Sequence, residues 1–275
     1  MTIDMESVYD ILWQTTSGEL FAQLDDSLNP RPPRILYDWV KAAGIGSDHV
    51  ILDVGCGKGN QAHELSRQFG CHVVGIDPVW SNLKAAQQLG KFERMFDKAA
   101  FQRVSFEQAS MEAIPLPAAS VDLVWCRDML VHVADLESAM HEASRVLKPG
   151  GTMVIFTTFA TDLMEANELE YVCAPIAVQP ANLSVKYVED TFQKSGLTIQ
   201  DVEVMGGELI EHMDERDGRH GKELLRIARM VRSRDQFVAQ LGEAQYEIAL
   251  ALYRWGIYLL LGKLSMSIYT LRKPM

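Results

Sequence analysis

The feature that most constrains this fold is a short apolar run that breaks into alternate glycines. The run covers Val50–Val54, a helical pattern follows it, and a second apolar run then ends at Asp77. The glycines are Gly55, Gly57 and Gly59. This order of strand, tight turn, helix and strand opens a doubly wound α/β fold with a nucleotide-like ligand at the turn. Glycines at the turn let the backbone approach a ligand that a Cβ atom would push away.

The residues around the turn narrow the choice of ligand. A dinucleotide fingerprint needs its third glycine at position 60, where this chain has Asn60. Asp53 precedes the first glycine by two positions, and its carboxylate would repel a pyrophosphate but attract a cationic ligand. Asp77 lies 18 residues past Gly59, where a carboxylate can accept the hydroxyls of a ribose. A P-loop is excluded, because no G-K-[ST] follows at the required spacing.

Four stretches in order resemble the motifs of one enzyme family. The sequence Asp53–Gly59 resembles motif I of the class I S-adenosylmethionine (SAM) methyltransferases. Residues 108–116 resemble the loop that holds the adenine, residues 120–126 the fourth strand, and residues 145–151 the helix and turn before the fifth strand. The resemblance is to the small-molecule branch (UbiE-like, methyltransferase type 11) and covers residues 50–160.

The resemblance implies SAM as cofactor, S-adenosylhomocysteine as product, and no metal. The glycine backbone would pass beneath the methionine part, Asp53 would attract its ammonium group, and Asp77 would accept the ribose hydroxyls. The adenine would lie against apolar residues near Pro78 and Met111. Ser110 stands where the family often has an acidic residue, which makes its bond to the adenine weaker. The predicted cofactor-binding residues are Asp53, Gly55, Cys56, Gly57, Gly59, Asp77, Pro78, Ser110, Met111, Glu112, Cys126 and Arg127.

The segment 126–133 faces the transferred methyl group in the enzymes that this chain resembles. A methyl donor of this kind is already a strong electrophile, so the protein must supply in-line positioning and often a base. His132 is the candidate base, because the ordinary pKa of histidine lies near neutral pH. The alternative for His132 is that it orients the loop or lines the pocket. Arg127 and Asp128 are expected to pair with each other or to cap the next helix.

The alternation of apolar and polar segments predicts an α/β fold: a Rossmann-like, doubly wound, mostly parallel seven-stranded sheet with an inserted helical cap. We expect residues 1–275 to form a single domain, with N-terminal lid helices over 1–45 and a core over 46–160. The cap insertions are expected over 160–186 and 208–262. The predicted strands are 50–54, 72–76, 104–108, 121–126, 152–158, 198–204 and 267–272. A turn is expected at the Lys-Pro-Gly-Gly stretch 148–151, directly before the fifth strand.

Residues outside the core carry weaker functional hypotheses. Tyr9 and Trp13 lie four positions apart and could close over the cofactor or staple their helix to the core. Glu208, Glu211 and His212 either meet the substrate or lie in a solvated loop, and the loop is the favoured interpretation. An aromatic set in the last long helix is expected to pack the cap, with some members lining the pocket: Tyr246, Tyr253, Trp255 and Tyr258.

Composition limits the partners. The net charge of −11 argues against nucleic acid as a partner and against a general basic field that would attract an anionic membrane. The four cysteines form no C-x-x-C pair, which is typical of a reducing compartment. The N-terminus has no apolar signal-peptide core, and the most apolar segment, 248–261, is too short to span a bilayer. We therefore expect a cytoplasmic protein without membrane insertion, and a homodimer stays open.

The leading hypothesis is methyl transfer from SAM to an oxygen, nitrogen or carbon acceptor of a small, moderately hydrophobic metabolite, as in natural-product biosynthesis. The alternative is a protein that binds SAM without transferring a methyl group, such as a cyclase or a sensor. An NAD-dependent oxidoreductase is disfavoured, because the glycine at position 60 and a Y-x-x-x-K pair are both missing. An arsenite methyltransferase would need clustered thiols, and these cysteines are scattered.

Overall fold

The computed structural model describes residues 4–15, 24–93 and 102–275, and a seven-stranded sheet forms its centre. The strands are β1 (Val50–Val54), β2 (His72–Asp77), β3 (Val104–Gln108), β4 (Val121–Arg127), β5 (Leu147–Ala160), β6 (Thr198–Gly206) and β7 (Leu264–Arg272). Their order is β3-β2-β1-β4-β5-β7-β6. Strands β1 to β5 pair in parallel, and β7 runs antiparallel to both β5 and β6. The predicted fold class, a doubly wound and mostly parallel sheet, is confirmed.

Helices cover both faces of the sheet and extend beyond one of its ends. The described helices are α1 (Met5–Thr15), α2 (Ile35–Ala42), α3 (Asn60–Phe69), α4 (Trp80–Glu93), α5 (Leu136–Val146), α6 (Ala166–Cys173), α7 (Val185–Lys194), α8 (Glu208–Asp217), α9 (Arg219–Arg232), α10 (Arg234–Leu241) and α11 (Glu243–Leu260). Short 3₁₀ turns lie at 130–132, 174–176 and 180–183. No helix in the described ranges is both long and apolar enough to cross a bilayer.

The core is built on both faces of the sheet because the central strands are apolar on both sides. Trp125 of β4 points into one core cluster, whereas its neighbours Val124 and Cys126 point into the other. On the first face the indole of Trp125 stacks on Tyr37 of α2, with 5.7 Å between ring centroids. This contact holds α2 against the strand that leads into the candidate site.

The fifth strand begins earlier than its sequence pattern predicts. The Lys-Pro-Gly-Gly stretch lies inside β5 and makes its pairing with β4 irregular. Leu147 pairs with Val121, and the next pair, Thr152 with Leu123, lies five positions further along β5 but only two further along β4. Gly150 takes the left-handed conformation there, with φ of 72°. Its N–H donates to the carbonyl of Lys273 at 3.0 Å. The predicted turn before the fifth strand is therefore not observed as a separate element, because backbone pairing with the segment after β7 continues the strand through these residues.

The segment after β6 is helical where a solvated loop was favoured. Gly206 has φ of 58°, and α8 starts at Glu208. A Cβ atom on Gly207 would lie 2.6 Å from the carbonyl oxygen of Leu259, so only glycine allows this close approach to α11. Helices α8 to α11 then form the cap, with a small apolar cluster of their own around Met230 and Tyr246.

Candidate active site

The glycine turn lies at the carboxyl end of β1, where the strand order reverses and open α/β sheets bind ligands. Gly55, Gly57 and Gly59 have φ of 69°, 54° and 79°, a left-handed conformation that L-residues adopt only at a cost. The N–H groups of Gly55 and Cys56 both donate to the carbonyl of Ile76, at 2.8 and 2.9 Å. The turn is therefore locked to the end of β2.

The three glycines face different surroundings. A Cβ atom on Gly55 would meet the side chain of Met129 at 2.8 Å, and one on Gly59 would meet the ring of Phe106 at 2.6 Å. A Cβ atom on Gly57 would have nothing within 4 Å. Packing thus requires glycine at the first and third positions, whereas Gly57 alone faces open space in which a ligand can lie against the backbone.

Asp77 ends β2 beside this open space. Its Oδ2 accepts the N–H of Gly57 at 2.9 Å, and its Oδ1 accepts the N–H of Val79 at 2.8 Å and the amide of Asn82 at 3.2 Å. A carboxylate offers about four acceptor positions, so the three donors fix its orientation and leave capacity for a ligand hydroxyl. The arrangement suits the predicted contact with a ribose.

Asp53 is enclosed just behind the turn, with 2% of its surface exposed. Its Oδ2 has no hydrogen-bond partner in the described part of the chain. Burial raises the pKa of this carboxyl to about 7, against the attraction of Arg127 and with a smaller contribution from Asp77. Because the field of a charge acts over several ångströms, a cation bound on the turn would stabilise the ionised form without direct contact.

The remaining predicted cofactor-binding residues differ in how much of their side chains is exposed to solvent. Pro78 is exposed, and Ser110 and Glu112 are half-buried, so all three retain surface that a ligand can contact. Met111 and Cys126 lie inside the core, each 1% exposed. Their side chains pack in the core and have almost no surface that a ligand could contact.

Arg127 and Asp128 leave the end of β4 next to the turn. The expected pair is present, with Arg127 Nε 3.3 Å from Asp128 Oδ2. Asp128 has φ of 56°, and its N–H donates to the carbonyl of Phe156 at 2.9 Å. Arg127 lines two hollows: one of about 460 Å³ that it shares with Tyr37 and the start of α3, and a second of about 340 Å³ under the cap. The guanidinium thus stands where the two hollows adjoin.

The hollow under the cap is lined mostly by apolar residues. Its polar members are Arg127, Asp128, His132 and Thr158. The other lining residues come from the 3₁₀ turns, the sheet and the cap: Val131, Phe156, Ile176, Val178, Leu209, Ile210, Met213, Leu252, Trp255, Leu259 and Met266. A pocket of this size and lining suits a small apolar molecule that is oriented by a few polar groups.

His132 lies in this cavity with a defined tautomer. Its Nδ1 is 3.3 Å from the carbonyl oxygen of Ala177. A carbonyl can only accept, so Nδ1 carries the hydrogen and Nε2 keeps a free lone pair. The 3₁₀ turn that carries His132 is clamped by the buried Asn182, whose amide donates to the carbonyls of Leu130 at 2.9 Å and Val133 at 2.8 Å. The sequence did not point to Asn182, because its partners lie about 50 positions earlier in the chain.

The charged cap residues proposed as substrate contacts do not reach the cavity. Glu208 accepts a hydrogen bond from Arg31 Nε at 2.7 Å, and Arg31 also pairs with Glu203. Glu211 and His212 are half-buried on α8 but are not among the lining residues. The same helix lines the cavity through its apolar face, with Leu209, Ile210 and Met213.

The aromatic predictions have mixed outcomes. Trp255 lines the cavity, whereas Tyr246 packs within the cap cluster and Tyr258 donates to Glu168 at 2.8 Å. Tyr9 is exposed on α1. The side chain of Trp13 lies outside the described residues, so the lid stays a prediction.

The central part of the chain is similar to known methyltransferases. Residues 52–155 match the family model described as "Methyltransferase domain". Over this range the chain is similar to methyltransferase domains. A relative, the human mitochondrial ubiquinone biosynthesis O-methyltransferase, is 34% identical over 160 residues, which cover 55% of this chain and 42% of that protein. The chain therefore spans less than half the length of this curated relative.

Solved structures share the fold well beyond the methyltransferase domain. A putative sarcosine dimethylglycine methyltransferase from Galdieria sulphuraria has a TM-score of 0.66 at 18% identity, covering 88% of this chain and 84% of that one. The [4+2]-cyclase SpnF has a TM-score of 0.66 at 20% identity, covering 88% and 80%. The shared architecture includes the sheet and most of the flanking helices.

SAM is the cofactor of this class of domain, and the residues of the cleft fit it. The open space at Gly57 accommodates a ligand against the backbone. The unpaired Oδ2 of Asp53 gives the cleft an electrostatic preference for a cation, and Asp77 has acceptor capacity for a ribose hydroxyl. When bound, SAM supplies an electrophilic methyl group.

Proposed function

We propose that the protein transfers the methyl group of SAM to an oxygen, nitrogen or carbon acceptor of a small, moderately hydrophobic metabolite. The observation that carries the proposal is the apolar cavity of about 340 Å³, whose lining includes Arg127 and Asp128 at the end of β4, the strand that pairs with β1. A molecule held there would face the cleft across the residues that follow β4. The apolar wall excludes water, which both orients the acceptor and strengthens the polar contacts that remain.

The chain supplies positioning and a proton acceptor. SAM held at Gly57, Asp53 and Asp77 would supply the methyl group and would leave as S-adenosylhomocysteine, while the cavity would hold the acceptor atom that receives the methyl group. Where the acceptor carries a proton, the free Nε2 of His132 takes it, because the carbonyl of Ala177 holds the hydrogen on Nδ1. Arg127 and Asp128 together add little net charge, so the cavity favours a neutral acceptor.

Calorimetry with S-adenosylhomocysteine, with NAD(P) in a parallel titration, tests the cofactor part of the proposal. We expect binding of S-adenosylhomocysteine alone. Single turnover with methyl-labelled SAM and a panel of hydrophobic hydroxy, amino and enol compounds then tests transfer. Binding without label transfer to any member would favour the alternative, a SAM-binding protein that acts as a cyclase or a sensor.

We also infer a role in metabolite biosynthesis within the cytoplasm. The support is the apolar cavity together with Cys56, Cys71, Cys126 and Cys173, which are all unpaired and buried. Cell fractionation tests the location. Homodimer formation and the absence of nucleic-acid binding stay predictions, and light scattering and a gel-shift assay measure them.

A further inference from the structure

The cap carries a concentration of positive charge that the net charge of the chain conceals. Residues 219–234 hold six arginine and lysine side chains against one glutamate, within a chain whose net charge is −11. Arg226 lies over the ring of Tyr253, at 5.5 Å from its centroid. Within the described ranges, Arg226, Arg229 and Arg232 form no ion pair with a carboxylate, although the rest of the protein is rich in acids.

Two stripes of exposed residues run along nearly opposite sides of α9. Lys222, Arg226 and Arg229 recur at the spacing i, i+4, i+7 and form a basic stripe. A second stripe at the same spacing is apolar and contains Leu224 and Val231, which are 55% and 53% exposed. An exposed helix that combines a basic stripe with large apolar side chains is typical of segments that lie on an anionic bilayer.

A groove beside this helix adds apolar surface next to the cations. It measures about 360 Å³ and lies between α9, α10 and α11. Arg226 and Arg229 line it together with Phe237, Leu241 and Tyr253. A lipid has the matching chemistry, with an anionic phosphate for the guanidinium groups and an acyl chain for the apolar walls.

Helix α11 connects this surface to the acceptor cavity. Tyr253 lines the groove, and the adjacent Leu252 lines the cavity while 56% of its surface is exposed. Ile248, one turn earlier on α11, is also exposed. The entrance of the cavity and the basic surface therefore share one helix.

We propose that α9, with the groove between α9, α10 and α11, docks the protein on the surface of an anionic lipid bilayer. The contact is peripheral: the bilayer lies against the surface between the two stripes, where Leu225 is 50% exposed and enters the headgroup region, while the basic stripe on one flank meets lipid phosphates. A hydrophobic acceptor dissolved in the bilayer would then reach the cavity past Leu252 without crossing water. The docking surface involves none of the residues assigned to the cofactor or to catalysis. Membrane binding can therefore be tested independently of methyl transfer.

Vesicle flotation with the full chain tests the proposal. The probes are vesicles of phosphatidylcholine alone and vesicles with about 30% phosphatidylglycerol, which models an anionic leaflet. We expect binding to the anionic vesicles only, and weaker binding as salt is raised. Each arginine near such a surface contributes about fivefold, so the double variant Arg226→Gln/Arg229→Gln should bind about 30-fold more weakly. The matched control, Lys186→Gln/Lys194→Gln on α7, removes the same charge from another exposed helix and should bind like the wild type.

A second variant tests the apolar stripe. Leu224→Ser/Val231→Ser should weaken binding to anionic vesicles while leaving the dependence on salt unchanged, because the charges remain. The proposal is overturned if the wild type does not float with anionic vesicles, or if the arginine variant and its control bind equally. Failure with vesicles combined with salt-sensitive binding to an acidic protein would assign the surface to a protein partner instead.

Discussion

Replacement of Gly57 by alanine should have two separate effects: a loss of folding stability from backbone strain, and a loss of cofactor affinity because the new methyl group occupies the space next to the turn. Gly57 has φ of 54°, a conformation in which an L-residue costs about 1–2 kcal/mol. Its Cβ would meet no protein atom within 4 Å, so no packing clash adds to that cost. We expect a melting temperature lower by about 2–8 °C and an otherwise normal fold.

The effect on the cofactor should be larger than the effect on stability. A ligand atom in contact with the Gly57 backbone, about 3.5–4.0 Å away, would lie about 2–2.5 Å from the new methyl carbon. That overlap forces the ligand to shift, and it also displaces the N–H that orients Asp77. Calorimetry should show S-adenosylhomocysteine binding at least about tenfold weaker, which corresponds to about 1.4 kcal/mol.

Gly196→Ala provides the matched control. Gly196 follows α7, has φ of 80° and has nothing within 4 Å of its Cβ position. Its backbone cost is therefore similar, but it lies away from the cleft. Equal affinity of Gly57→Ala and the wild type for S-adenosylhomocysteine would refute the assignment of this space to the cofactor. An equal loss in both variants would show that the effect is global.

Three further predictions follow from the site. Because the pKa of Asp53 is about 7 when folded and 3.8 in the reference state, the folded protein binds this proton more tightly. The cofactor-free protein should therefore lose about 2–4 kcal/mol of stability as the pH rises from about 4 to above 7. In urea unfolding near pH 5 and pH 8, Asp53→Asn should not show this loss of stability. If the variant and the wild type depended on pH in the same way, the assignment of the pH dependence to the buried Asp53 carboxyl would be wrong. His132→Ala should lower the turnover rate about 10²–10⁴-fold and leave S-adenosylhomocysteine affinity unchanged, whereas a normal rate would make the residue structural. Asn182→Ala leaves the carbonyls of Leu130 and Val133 without a partner and should cost about 2–4 kcal/mol in unfolding free energy, with turnover falling more than cofactor affinity. Equal losses in turnover and affinity would argue against a positioning role.

The sheet was predictable from the sequence because its signals are local. Apolar runs bounded by glycine, proline and aspartate gave all seven strands, and β1 and β3 have the predicted bounds. The Lys-Pro-Gly-Gly stretch was predicted to be a turn before the fifth strand, and this prediction was wrong, because residues 148–151 lie within β5. Its place inside β5 was not predictable, since it depends on backbone pairing with Lys273, more than 100 positions later.

The candidate site was predictable only where the chemistry resides in one segment. The acidic and glycine positions of the turn identify the cleft, but the sequence cannot show that Met129 and Phe106 arrive beside Gly55 and Gly59 and require glycine for packing. Glu208 was assigned either to a substrate contact or, as the favoured interpretation, to a solvated loop. Its partner Arg31 lies 177 positions away, and only the fold brings the two together.

The hydrogen bond between His132 and Ala177 links the candidate base to a segment that also forms the wall of the acceptor cavity. Ala177 belongs to the segment between β5 and α7, which also supplies Ile176 and Val178 to the wall of the cavity. A substitution that shifts the backbone of this segment to admit a new acceptor would also move the carbonyl that holds the hydrogen on Nδ1 of His132. A change of acceptor and a loss of proton transfer would therefore tend to arise from the same substitutions. Engineering of new specificities should keep residue 177 and Asn182 fixed and vary the cap side of the cavity first.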